Sequence, residues 1–195
     1  MKSGDLISIV FFFKAGQKKG LGNLYRCRSL ALELKKYKNI KIIISTEDKK
    51  LFNIAFKNLN FSWLSSQKIF KSKKNDIIIL DITKYPLKLQ KKLKNNCKYL
   101  VGIDDWGKGP FVYDFLLRPN PIKLPNPKML QKNHKICKGI NYILLDSKFN
   151  KKNIGKYNKE IKNVFICFGG SDPKRYTARI IKIIIKENFL ENIKF

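Results

Sequence analysis

LISIVFFFKAGQKKGLGNLYRCRSLALEL, residues 6–34, is the stretch that decides the fold. Residues 6–13 are apolar apart from Ser8 and rich in β-branched and aromatic side chains. Such a run reads as a strand buried on both faces, as in parallel sheets. A turn carrying Gly16, Gly20 and Gly22 follows. Over residues 25–37, Cys27, Leu30, Ala31 and Leu34 recur at intervals of three, one and three, the spacing of one helix face. Strand, glycine turn and helix together open an α/β unit.

Downstream the alternation continues. Strands are expected at 40–45, 61–64, 76–80, 99–103 and 115–117, and helices at 49–59 and 86–95. Strands alternating with helices at short spacing predict a doubly wound, Rossmann-like α/β sheet. Residues 120–127 hold three of the seven prolines and form a loop. Residues 138–149 read as a turn with a short apolar segment, and 151–162 as a charged linker. NVFICF, 163–168, reads as a new buried strand, and 176–186 as a helix whose isoleucines at 180–185 form core. The domain reading is therefore 1–150 as the first domain, 151–162 as the linker, and 163–195 as the start of a second. One strand and one helix cannot cover both faces of a sheet. The second unit is expected to pack on the first, to be completed by a partner chain, or to be the front of a longer ancestor.

Composition bounds the function classes. With 44% hydrophobic and 12% aromatic residues, the chain can bury a core and is not a disordered or collagen-like sequence. The four cysteines, Cys27, Cys97, Cys137 and Cys167, form no C-x-x-C pair. They read as reduced thiols of a cytoplasmic protein, mostly packed in its interior. No run is long enough for a membrane span, and no signal segment is visible. The net charge of +28 raises the question of nucleic acid. Only five of the 42 basic residues are arginine, however, and the lysines are spread beside many Ile and Asn. That is the bias of A- and T-rich codons, and no nucleic-acid-binding motif accompanies it.

Three constellations could carry chemistry. Gly20-Leu21-Gly22-Asn23 lies between the first strand and helix, where a backbone can approach a ligand and a helix N-terminus favours anions. Asp81, and Asp104 with Asp105, close two strands at their carboxyl ends, where open α/β sheets bind ligands. Each could equally cap a helix or a turn. Gly169-Gly170-Ser171-Asp172 precedes the last helix and could cradle a diphosphate, or could simply be a capped turn. His134, the one histidine, sits in a polar stretch expected on a surface loop.

Taken in order, GLGNLYRCRSLALEL, ILDITKYP, VGIDDWGKGPFVYDFLLRPNP, GINYILLDSKF and VFICFGGSDPKRYTARII resemble a known family. It is that of the UDP-2,4-diacetamido-2,4,6-trideoxy-β-L-altropyranose hydrolases of the pseudaminic acid pathway, relatives of spore-coat polysaccharide glycosyltransferase-like proteins. The resemblance implies two facing Rossmann domains in a GT-B-type arrangement. It implies hydrolysis without metal or cofactor, water attacking the anomeric carbon and UDP leaving. The product would feed a nonulosonic acid for surface glycans.

Residue by residue, the family's G-x-G-H loop matches at Gly20, Leu21 and Gly22, with Asn23 where the catalytic histidine would stand. An amide can orient water but cannot take its proton. The candidate catalytic residues are then Asn23, Asp81 and Asp104, with His134 as a further candidate base. Gly20, Gly22, Arg26, Tyr85 and Asp105 are the implied substrate contacts, and Gly169, Gly170, Ser171 and Asp172 the implied nucleotide contacts. Asp114 matches the aspartate that follows the IDD block. The implied ligand is a UDP-sugar.

Overall fold

The computed structural model describes residues 6–16, 20–70, 75–120, 125–150, 164–170 and 172–187. Its centre is a seven-stranded sheet built from β1 (Ile7–Phe13), β2 (Ile40–Thr46), β3 (Ser62–Ser65), β4 (Asn75–Asp81), β5 (Cys97–Ile103), β6 (Phe115–Arg118) and β7 (Lys135–Lys138). The order across the sheet is β3-β2-β1-β4-β5-β6-β7, and every pairing is parallel. Helices α1 (Gly22–Leu34), α2 (Lys49–Ala55) and α3 (Leu87–Lys94) return the chain between strands. The α/β sheet expected from residues 6–34 is the one observed.

Alternation along β1 shows why the sheet needs helices on both faces. Ile9, Phe11 and Phe13 join Leu24, Cys27 and Ala31 of α1 in one core, together with Ile42 and Ile44 of β2. Val10 and Phe12 point the other way, into a second core with Ile78, Leu80, Leu100, Leu116 and Leu93 of α3. Successive side chains of a strand leave on opposite faces, so a run without polar breaks fills two cores.

The strand order reverses direction between β1 and β4. Both crossovers leave from this point, β1 toward α1 and β4 toward α3, and open a crevice at the carboxyl ends of the strands. Phe13 lies beside Asp81 at that edge.

Two expectations are corrected, and one strand is added. Residues 164–168 are not a buried strand: they carry no regular structure, and Phe165 is 91% exposed. A strand needs a hydrogen-bonding neighbour, and neither edge of the sheet, β3 or β7, pairs with this segment. Asn163 and the expected linker at 151–162 lie outside the described residues. Helix α4 (Tyr176–Lys186) forms over the expected span, but Ile180, Ile181, Ile183 and Ile185 are exposed rather than core, because no described element covers that face. Strand β7 went unforeseen: Lys135-Ile136-Cys137-Lys138 has only two apolar residues, and it forms an edge strand on β6. Of the thiols, Cys27 and Cys97 are buried, while Cys167 is exposed. No helix among the described residues is long and apolar enough to cross a membrane.

Candidate functional site

Three elements meet in the crevice. Helix α1 presents Asn23 and Arg26, one turn apart on one side. Strand β4 ends in Asp81. Strand β5 ends at Ile103, so Asp104 is the first residue past the sheet. There the backbone turns sharply: Asp104 has φ 57°, a left-handed conformation that costs a non-glycine residue energy. Its amide donates to the Leu117 carbonyl at 2.8 Å, which fixes the turn to β6.

Arg26 joins the two carboxylates. Its Nε and Nη2 donate to Asp81 Oδ2 and Oδ1 at 2.9 and 2.6 Å. Its Nη1 donates to Asp104 Oδ2 at 3.0 Å. Burial works against the Arg26 charge, but the carboxylates of Asp81 and Asp104 outweigh it and hold the guanidinium more firmly protonated than usual. Burial pushes the Asp81 carboxyl above its ordinary range, and Arg26 opposes the shift. Cys27, beneath Asp81, donates Sγ–H to Oδ2 at 3.5 Å. Burial first, and the Asp81 charge second, raise this thiol well above its usual pKa, so it stays protonated and is no nucleophile.

The two carboxylates differ in access. Both carboxylates are held by protein donors, but the Asp81 side chain is only 1% exposed. The Asp104 side chain is 20% exposed. It lines, with Arg26, Pro119, Asn120, Ile143 and Leu144, a cleft of about 270 Å³. A group that takes a proton from substrate or water must reach it. Of the two, Asp104 is the one placed to do so.

Asn23 is committed to its neighbours. Its Nδ2 donates to the Asp81 carbonyl at 3.0 Å, and its Oδ1 accepts from Arg26 Nη2 at 3.4 Å. It braces the end of β4 against α1. Gly20, with φ 78°, makes the turn into the helix, and Gly22 is its first residue. No side chain caps the N-terminus of α1, and its first turn carries no acidic residue.

Two expected substrate contacts turn inward. Asp105 is buried; its carboxylate accepts from Tyr113 Oη at 2.9 Å and from the amides of Lys84 and Gly107 at 3.2 and 3.0 Å. Tyr85 is buried edge-on to Phe12, ring centroids 5.9 Å apart. Asp114 lies elsewhere altogether. It precedes β6, where its amide donates to the carbonyl of Leu100 in the middle of β5 at 2.8 Å, and it pairs with Lys94 at 2.6 Å. His134 precedes the edge strand β7, exposed, with Nδ1 2.7 Å from the Gln131 carbonyl. Neither shares the crevice with Asp104.

The second glycine loop does come to the first. A Cβ added at Gly170 would lie 3.2 Å from Leu21 Cβ, so the missing side chain allows this close approach. Ser171 lies outside the described residues. Asp172 accepts from the amides of Tyr176 and Thr177 at 2.9 and 2.8 Å. Its carboxylate thus occupies the α4 amides that a diphosphate was expected to meet.

Sequence alone missed the bracing. Arg118, buried in β6, donates Nε to the Asp105 carbonyl at 3.0 Å and Nη2 to the Gly107 carbonyl at 2.6 Å. Only its place in an otherwise apolar strand, FLLR, signalled it.

No family model matches the chain. Curated proteins do. Over 178 residues, covering 87% of the chain, it is 25% identical to the spore coat polysaccharide biosynthesis protein SpsG of Bacillus subtilis. The chain is a distant homologue of a polysaccharide biosynthesis protein. It is also 30% identical, over 186 residues and again 87% of its length, to an uncharacterized protein of Methanocaldococcus jannaschii. It spans 52% of SpsG and 38% of the archaeal protein.

Proposed function

We propose that the crevice receives the sugar end of a UDP-linked diacetamido-trideoxy sugar and that the chain belongs to the hydrolytic machinery of surface-glycan synthesis. One observation carries this reading: Asp104, partly exposed and fixed by Arg26, lines a cleft at the switch point of the sheet. The homology to SpsG supports the same area of metabolism. In the reaction, a water oxygen bonds to the anomeric carbon as the bond from that carbon to the UDP oxygen breaks. Asp104 takes the water proton, and the pair of electrons leaves with UDP. Asn23 and Arg26 hold the carboxylate and the end of β4 in place. The domain division at 1–150, 151–162 and 163–195, in a two-domain GT-B-type arrangement, belongs to this proposal. It draws support from the meeting of Gly170 with Leu21, which brings the loop assigned to the nucleotide beside the loop at the sugar end.

The test is UDP release from a UDP-linked acetamido sugar by the wild-type chain and by Asp104→Asn. Asparagine keeps the shape and loses the base, so the rate should fall by roughly 10²–10⁴, with an unchanged melting temperature. Equal rates would remove Asp104 from the chemistry.

A second reading has its own observation. Asn23 stands where the resembled family carries histidine, and Asp172 fills the α4 amides. The first favours a catalytically impaired, glycosyltransferase-like chain that binds a sugar nucleotide without cleaving it; the second means that its diphosphate would be met elsewhere than at the α4 amides. Calorimetric binding of the UDP-sugar with no UDP release would select this reading.

A further inference from the structure

Trp106 is a large aromatic side chain left 44% exposed, two residues from Asp104. It is not free to move. Its indole Nε1 donates to Asp104 Oδ1 at 2.6 Å, while the other oxygen of that carboxylate holds Arg26 at 3.0 Å. The backbone on either side is pinned from below. Asp105, before it, is buried and bonded to Tyr113. Gly107, after it, donates to Asp105 Oδ1 at 3.0 Å and accepts from Arg118 Nη2 at 2.6 Å. A Cβ at Gly107 would lie 2.9 Å from the Phe111 ring, so the turn cannot take a bulkier residue without shifting.

A turn that spends four hydrogen bonds on presenting an aromatic face to solvent needs a reason. Indoles bury more area than any other side chain and are ordinarily covered. Here the ring is hydrogen-bonded to Asp104, the partly exposed carboxylate that lines the cleft. Pro119, Ile143 and Leu144 line the same cleft. An indole and apolar side chains gathered around a carboxylate and a guanidinium suit a flat ring with C–H groups on its faces and polar groups on its edge.

We propose that Trp106 is a specificity residue that stacks on the pyranose ring of the sugar nucleotide, with Asp104 holding the indole in place. The ligand class is a hexopyranose whose axial C–H bonds make one apolar face. This rests on the sugar-nucleotide reading of the site. Because Asp104 orients both the indole and the reacting water in that reading, ring position and proton transfer are set by one side chain.

Trp63 is the second of two tryptophans. It lies in β3, remote from the crevice, and its Nε1 finds no partner among the described residues. Trp63→Phe therefore leaves Trp106 as sole reporter in the full chain. That variant is titrated with UDP, with N-acetylglucosamine and with UDP-N-acetylglucosamine, following emission and, separately, heat. The expected result is a saturable emission change with the two sugar-bearing probes and little with UDP alone. Trp106→Ala should weaken UDP-N-acetylglucosamine about tenfold. Trp106→Phe, which keeps a ring and loses the N–H, should recover most of that loss. Heat of binding with silent emission, or equal affinity for Trp106→Ala, overturns the stacking role and leaves the sugar-nucleotide reading standing. No heat with any probe overturns both.

Discussion

Arg26 grips Asp81 through two parallel hydrogen bonds, Nε to Oδ2 at 2.9 Å and Nη2 to Oδ1 at 2.6 Å, at the carboxyl end of the central strand pair. The geometry is the planar fork that guanidinium offers a carboxylate. Asp81 is almost fully buried, so the pair is not a surface ion pair of small consequence. Arg26→Met leaves a buried carboxylate without a partner and should cost about 3–5 kcal/mol. Adding Asp81→Leu removes the stranded charge and should return much of the loss. Urea denaturation of both variants checks this; a double variant no more stable than the single would mean that the pair does not hold the edge together.

Asn23 donates to the Asp81 carbonyl, the role of a brace. Asn23→His places a titratable ring against the same crevice. If the cleft hydrolyses a sugar nucleotide, the rate should rise tenfold or more, with a new limb near the ordinary histidine pKa of about 6.5. A pH–rate profile of the two proteins reads this directly. A variant with the wild-type profile would show that position 23 does not face the reacting water.

Gly102 lies under Tyr113. An added Cβ would sit 2.8 Å from the ring, and Tyr113 is fully buried with no room to swing. Gly102→Ala should destabilise the chain by about 1–3 kcal/mol through overpacking and disturb the Tyr113–Asp105 bond. Gly22→Ala is the control, since a Cβ there meets nothing within 4 Å. Thermal melts should separate the two; matching melts would show that the ring yields.

Alkaline pH should unfold the protein through its buried phenols. Burial pushes Tyr85 up to about 12 from an ordinary 10. Burial, with the Asp105 carboxylate beside it, raises Tyr113 as well. The unfolded chain ionises these phenols above pH 10 while the folded one retains their protons. Stability is therefore complete below pH 10 and falls as pH rises from 10 to 12. Urea midpoints across that window should show the decline, and Tyr85→Phe should make it shallower. Absorbance at alkaline pH should show Tyr85 and Tyr113 ionising late.

Much of the fold was legible because β1 has no polar break and α1 keeps its period. Those two patterns alone required a parallel sheet with a helix on each face. What escaped was decided by partners rather than by local pattern. Lys135–Lys138 is a strand because β6 offers it an edge. Residues 164–168 have a better strand composition and pair with neither edge of the sheet. The site was half legible. Strand ends pointed to Asp81 and Asp104, and the glycine loop to Asn23 and Arg26. Sequence could not say that Asp105 faces inward while its neighbour Asp104 faces the cleft; the left-handed backbone at Asp104 makes that division. Nor could it choose between a diphosphate cradle and a capped turn at residues 169–172, where Asp172 takes the α4 amides for itself.

Because all seven strands run the same way, the protein has two unlike ends. Asp81 and Asp104 stand where β4 and β5 end, while Asp114 and His134 stand where β6 and β7 begin. The far end is thus a natural handle. A fluorophore or surface tether installed beside His134, at the start of the edge strand β7, would sit across several strands from Arg26, and the molecule could be held there while the crevice stays open to ligand.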